Sequence, residues 1–163
     1  MSENISLVPT AGMDFSTHIL ILRGYVVLSD FGKNPVHYKT VVDQLNVSRT
    51  QVSGVNSFFV GLGFLQQIDT GTYTPTKCAI EFYSKKPGEE SFENAKACVA
   101  QSDLYNRIKS LVLIHGEVSW ERVVSEIMRA SGTTVKSRAE RALEWLMRCD
   151  LIQKDKTDAV ILS

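Results

Sequence analysis

The chain says the same thing twice, and this internal repeat limits the fold more than any single motif does. In the first half an apolar helical stretch (17–31) meets a break at Gly32-Lys33-Asn34-Pro35. A short helix follows with Val41, Val42 and Leu45 inside, then a break at Asn46-Val47. A longer helix carrying Val52, Val55, Phe59 and Leu62 runs into Gly63-Phe64-Leu65-Gln66-Gln67. In the second half an apolar helix (104–114) breaks at His115-Gly116-Glu117 and gives way to a helix with Trp120, Val123, Val124 and Ile127. After Ser131-Gly132-Thr133 a third helix, with Ala139, Ala142, Leu146 and Cys149, leads into Asp150-Leu151-Ile152-Gln153-Lys154. Val41-Val42 thus aligns with Val123-Val124, and Phe64-Leu65 with Leu151-Ile152.

Local signals place the boundaries. Asn34 is a good N-cap, and Pro35 stands where the first helical N–H has no partner to lose. Ser48-x-x-Gln51 forms a capping box, so the third helix starts at Ser48. After each third helix the period switches from helical to extended. Phe64 to Ile68 and Thr72 to Thr74 make a hairpin turning at Asp69-Thr70-Gly71; Leu151 to Lys154 and Ala159 to Leu162 make its counterpart. Thr74-Pro75 opens a fourth helix from Thr76 to Tyr83, and Ser91 to Gln101 is a further helix. Ser102-Asp103 either caps a new helix or lies inside a long one. The predicted class is mainly α with small β-hairpins (α+β). Residues 1–12 have no periodicity and are expected to be a mobile tail. Two compact trihelical units are expected at 13–84 and 102–163. They are joined by 85–101, a polar Pro/Gly linker with a connecting helix.

Composition narrows the functional classes. Among 163 residues, 18 Lys+Arg balance 18 Asp+Glu, so bulk charge does not drive the chain onto nucleic acid; local basic patches remain open. No apolar run reaches the ~20 residues of a membrane span, and no secretory signal is expected. The three cysteines are far apart with no CxxC, which predicts reduced, buried thiols and a cytoplasmic protein.

Three helices closed by a two-stranded hairpin resemble the winged helix-turn-helix superfamily. Residues 41–65 are similar to its core, and Gly61-Leu62-Gly63-Phe64-Leu65 to its usual exit from the third helix into the wing. Met147-Arg148-Cys149-Asp150-Leu151-Ile152 matches more loosely, with Asp150 at the glycine position and a longer preceding turn, Met128 to Thr134. The resemblance implies two such domains in tandem. It covers DNA-binding regulators, transcription-initiation factors and protein-binding tandem modules, so it speaks to fold before function.

The third helices carry the candidate chemistry. In the first, the face opposite the core holds Arg49, Thr50, Ser53 and Ser57, with Gly54 and Asn56 at its edges. No carboxylate occurs between Asp43 and Asp69, and short hydroxyl side chains suit close approach to a phosphate-lined groove. The second presents Lys136, Ser137, Arg141 and Arg148, interleaved with Glu140 and Glu144. Tyr73 on the first wing is a candidate for stacking, and Lys77, Lys85, Lys86, Lys154 and Lys156 for phosphate contact. Trp120 and Trp145 are expected in the core. His18, His37 and His115 are isolated, and no metal-ligand spacing or catalytic signature occurs, so neither a metal, a cofactor nor a small-molecule ligand is expected and the chain reads as a non-enzyme. The leading expectation is a DNA-binding transcriptional regulator acting on double-stranded DNA, with dimerisation open. The alternative is a protein–protein adaptor built from the same tandem.

Overall fold

The computed structural model describes residues 6–163, which form eight helices and two small antiparallel sheets. Helix α1 (Phe15–Leu28) starts at Asp14, whose carboxylate accepts from the Thr17 amide (2.9 Å). Strand β1 (Val36–His37), α2 (Tyr38–Leu45) and α3 (Arg49–Leu62) follow. The capping box at Ser48 is closed in both directions, Gln51 N to Ser48 Oγ (3.0 Å) and Ser48 N to Gln51 Oε1 (3.1 Å). Strands β2 (Leu65–Asp69) and β3 (Thr72–Pro75) complete a sheet of order β1-β3-β2, with Val36 opposite Tyr73 and Gln66 opposite Thr74. Helices α4 (Lys77–Phe82) and α5 (Phe92–Val99) lead to α6 (Asp103–His115), α7 (Trp120–Ser131), α8 (Lys136–Arg148), β4 (Ile152–Lys154) and β5 (Val160–Leu162). Ser102 caps a new helix, accepting from the Tyr105 amide (3.2 Å), so α5 and α6 are separate.

The repeat reaches the individual hydrogen bond. Phe64 N bonds Phe59 O (2.9 Å), and Leu151 N bonds Leu146 O (2.9 Å). Thr76 N bonds Phe64 O, and Ser163 N bonds Leu151 O (2.9 and 3.1 Å). Each partner in the second half stands 87 positions after its counterpart (64 and 151, 76 and 163). The left-handed residue ending the third helix obeys the same offset: Gly63 (φ 87°) and Asp150 (φ 56°). A glycine takes this conformation without penalty, whereas an aspartate tolerates it at some cost. At α2 and α7 the offset falls to 82, as in Tyr38 N to Gly71 O (2.9 Å) and Trp120 N to Asp158 O (2.7 Å). Helix α7 is four residues longer than α2 and the turn after it one residue longer, which together account for the change.

Three expectations are corrected. The halves do not close separate cores: one apolar cluster runs through both. Trp145 of α8, fully buried, lies among first-half and connecting-segment aromatics, with ring centroids 4.7 Å from Phe15, 5.1 Å from Phe64, 5.9 Å from Phe59 and Phe82, and 6.1 Å from Phe92. Its Nε1–H donates to His18 Nδ1 (2.9 Å). Residues 6–12 are no loose tail either; residues 1–5 lie outside the described residues. Ser6 N bonds Ser57 O (3.1 Å), Thr10 N bonds Gly54 O (2.7 Å), and Val8 and Ala11 are buried against α3. Finally, Cys78 and Cys98 form a disulfide, not free thiols, with Cα atoms 6.5 Å apart. Helices α4 and α5 lie side by side, a neighbourhood that a sequence separation of 20 conceals. Cys149 remains free, and burial pushes its thiol up to about 12.

Candidate nucleic-acid interface

At one end of the first half three elements converge. Tyr38 opens α2, and its amide bonds Gly71 in the β2–β3 turn. The His37 ring lies 4.8 Å from the Tyr38 ring, and His37 Nδ1 accepts from the Lys39 amide (3.2 Å), capping α2. Across the turn, the Arg49 guanidinium stands over the Tyr38 ring at 5.8 Å. The first turn of α3 is therefore exposed at Arg49, Thr50 and Ser53, beside the exposed hairpin turn at Asp69 and Thr70.

The second half builds the same end from different residues. Trp120 opens α7 where Tyr38 opens α2, and Lys154 Nζ lies 4.5 Å from its ring centroid. With the 87-residue offset, Lys136 takes the place of Arg49 and Ser137 that of Thr50; both are exposed at the start of α8. Lys136 pairs with Glu121 (3.1 Å), and Arg122 bonds His115 (3.2 Å). Val135 precedes α8 without a side-chain cap bond, unlike Ser48 before α3.

The remaining candidates divide. Asn56 does not face a groove: it is buried, and its Oδ1 accepts from the Tyr25 hydroxyl (2.8 Å). Val52, Asn56 and Val60 are spaced by four and share one inward stripe, which a two-faced view of the helix misses. Tyr73 is also buried, edge-on to Tyr25 at 5.9 Å, because β3 alternates and turns Tyr73 and Pro75 inward. Burial raises both phenol pKa values. Ser57 is half-covered, its carbonyl held by Ser6. Arg141 donates to Met13 O (3.1 Å) and pairs with Glu144, while Arg148 pairs with Glu144 (3.3 Å) and covers the Phe15 ring (4.7 Å). These two arginines fasten α8 to the start of α1. Lys77 is exposed and pairs with Glu81 (3.6 Å).

A cavity of about 520 Å³ opens between α1, residues 87–92 and α8. Its guanidiniums are engaged, Arg23 with Glu90 and Ser84 O, Arg148 with Glu144. Among the described residues no cluster of His, Cys, Asp and Glu could hold a metal ion, and no helix is long and apolar enough to cross a membrane. No family model, curated protein or solved structure matches the chain.

Proposed function

We infer that this chain is a tandem of two winged-helix units that binds double-stranded DNA and regulates transcription. One observation carries the reading: a cation followed by a hydroxyl residue opens the third helix of each half (Arg49-Thr50, Lys136-Ser137), beside a hairpin turn. Residues at the start of such a helix are those that meet base edges, while the hairpin tracks the neighbouring backbone. The contact set is narrower than the helix faces suggest. It consists of Arg49, Thr50 and Ser53 in the first half and Lys136 and Ser137 in the second, with Lys154 and Lys156 supplying point charges. Fluorescence anisotropy on mixed duplexes at low salt tests it. Binding should weaken steeply with salt, and Arg49→Ala should cost about 1–3 kcal/mol if the arginine reads a base. No binding at tens of micromolar removes the reading.

The adaptor alternative draws on a separate observation. Arg141 and Arg148 are spent inside the molecule, and Leu113 and Ile114 lie 66% and 75% exposed on α6. An adaptor would associate with a protein in a salt-insensitive way and ignore duplex DNA.

A further inference from the structure

The cavity between α1, residues 87–92 and α8 draws its walls from both halves and from the segment that joins them. Its floor is the outer side of the aromatic cluster around Trp145. Phe15 and Phe92 stack there with centroids 6.0 Å apart, and Ile19 and Leu20 extend the apolar surface along α1. Leu20 is 39% exposed. The connecting segment is held in place, because Arg23 donates to Ser84 O (2.6 Å) and pairs with Glu90, which accepts from the Gly88 amide (3.0 Å). At about 520 Å³ the cavity falls within the range of small-ligand pockets, about 300–1,000 Å³.

Three charged side chains line it, two guanidiniums and one carboxylate. Arg23 and Glu90 neutralise each other, with side chains only 17% and 6% exposed. Arg148 is placed differently. Its side chain is 53% exposed and covers the Phe15 ring, and its partner Glu144 stands outside the lining and is shared with Arg141. The Ser16 hydroxyl donates to Asp14 (2.9 Å), which caps α1 and does not line the cavity either. The wall therefore carries one positive charge in excess, beside an apolar floor.

We propose that this cavity binds a small amphipathic monoanion, a carboxylate carried on a compact apolar body. The body lies on Phe15, Ile19, Leu20 and Phe92. The carboxylate accepts from the Arg148 guanidinium, whose planar fork has N–H groups to spare beyond the one given to Glu144. A phosphate monoester would bring about two negative charges to a wall with one in excess, and a cation would meet the guanidinium. The DNA-reading residues take no part in this site, and the proposal does not depend on them.

The probes are phenylbutyrate and the matching alcohol and amine, each titrated to millimolar concentration into the isotopically labelled full chain at neutral pH. The acid is expected to shift amides at 15–23, 87–92 and 147–149. The alcohol should bind several-fold more weakly and the amine should leave these amides unmoved. Arg148→Gln should bring the acid down to the affinity of the alcohol, and Leu20→Glu should abolish acid binding. Both positions are exposed, and unchanged amide positions elsewhere report that each variant is folded. Absent shifts, shifts confined to other surfaces, or an alcohol or amine that binds as tightly as the acid would overturn the proposal. So would an acid preference that survives Arg148→Gln, or acid binding undiminished in Leu20→Glu.

Discussion

Burial keeps the His18 imidazole neutral. Desolvation, followed by the nearby Arg141 charge, lowers its pKa from 6.5 to about 3. Because Nδ1 accepts from Trp145, the proton resides on Nε2, which is buried without a partner among the described residues. Above pH 6.5 the folded and unfolded chains are both neutral here, and His18 adds no pH dependence. Below it, the unfolded chain takes up a proton that the folded chain refuses. Stability therefore falls from about pH 6.5 towards pH 3, by up to about 1.4 kcal/mol per pH unit from this group alone. Urea denaturation at pH 7.5 and pH 5 should show the loss, and His18→Gln, whose amide oxygen can still accept from Trp145, should remove most of it. An undiminished slope in that variant would contradict the assignment. Asp14, held at about 2 by hydrogen bonds from Thr17 and Ser16, contributes its own loss only below about pH 4. None of this was legible in the sequence, where His18 is one isolated histidine in an apolar run.

Helix α3 shows why a residue that looks like a flaw is retained. A glycine inside a helix costs about 1 kcal/mol against alanine. A Cβ at Gly54 would lie 2.5 Å from Ala11 Cβ and 2.9 Å from Ala11 N. The glycine thus makes room for residues 6–12 to lie along the helix. Gly54→Ala should expel this strap: the Thr10 amide, now bonded to Gly54 O, should lose hydrogen-exchange protection while α3 keeps its own. Retained protection would show that the close approach does not determine the strap. The capping box and the hairpins were legible because their signals are local, within a few residues. The strap was not, since it depends on a contact between residues over 40 positions apart. The α4–α5 disulfide is likewise a long-range feature. In the chain-entropy account a loop of 20 residues is worth about 3 kcal/mol, so a reductant should lower the unfolding free energy by about that amount. An unchanged denaturation midpoint would mean the bridge does not form in solution.

For the molecule as a whole, the duplication was readable from hydrophobic spacing, and the hydrogen bonds recur at the offset that the spacing implies. The sharing of one core was not. Trp145 reads from sequence as an ordinary inward residue of α8, and only the packed structure shows its neighbours to be Phe15, Phe59, Phe64, Phe82 and Phe92. Separate units would unfold in two steps; a continuous core should unfold in one, with tryptophan fluorescence and far-UV circular dichroism coincident. Trp145→Ala should cost about 3–5 kcal/mol and loosen both halves together. The candidate site was legible in part. Arg49, Thr50, Ser53, Lys136 and Ser137 emerge at the surface, but Asn56 and Tyr73 turn inward, and Arg141 and Arg148 serve to hold the halves together. The equivalence of Arg49 and Lys136 follows from the same offset of 87 that aligns Phe64-Leu65 with Leu151-Ile152. The central claim, two matched DNA-reading ends on one rigid molecule, is tested most directly by amide chemical-shift mapping with a mixed-sequence duplex at low salt. The account expects two groups of shifted amides, at 37–39, 49–53 and 69–72 and at 120–122, 136–140 and 154–158; shifts absent from both ends would contradict it.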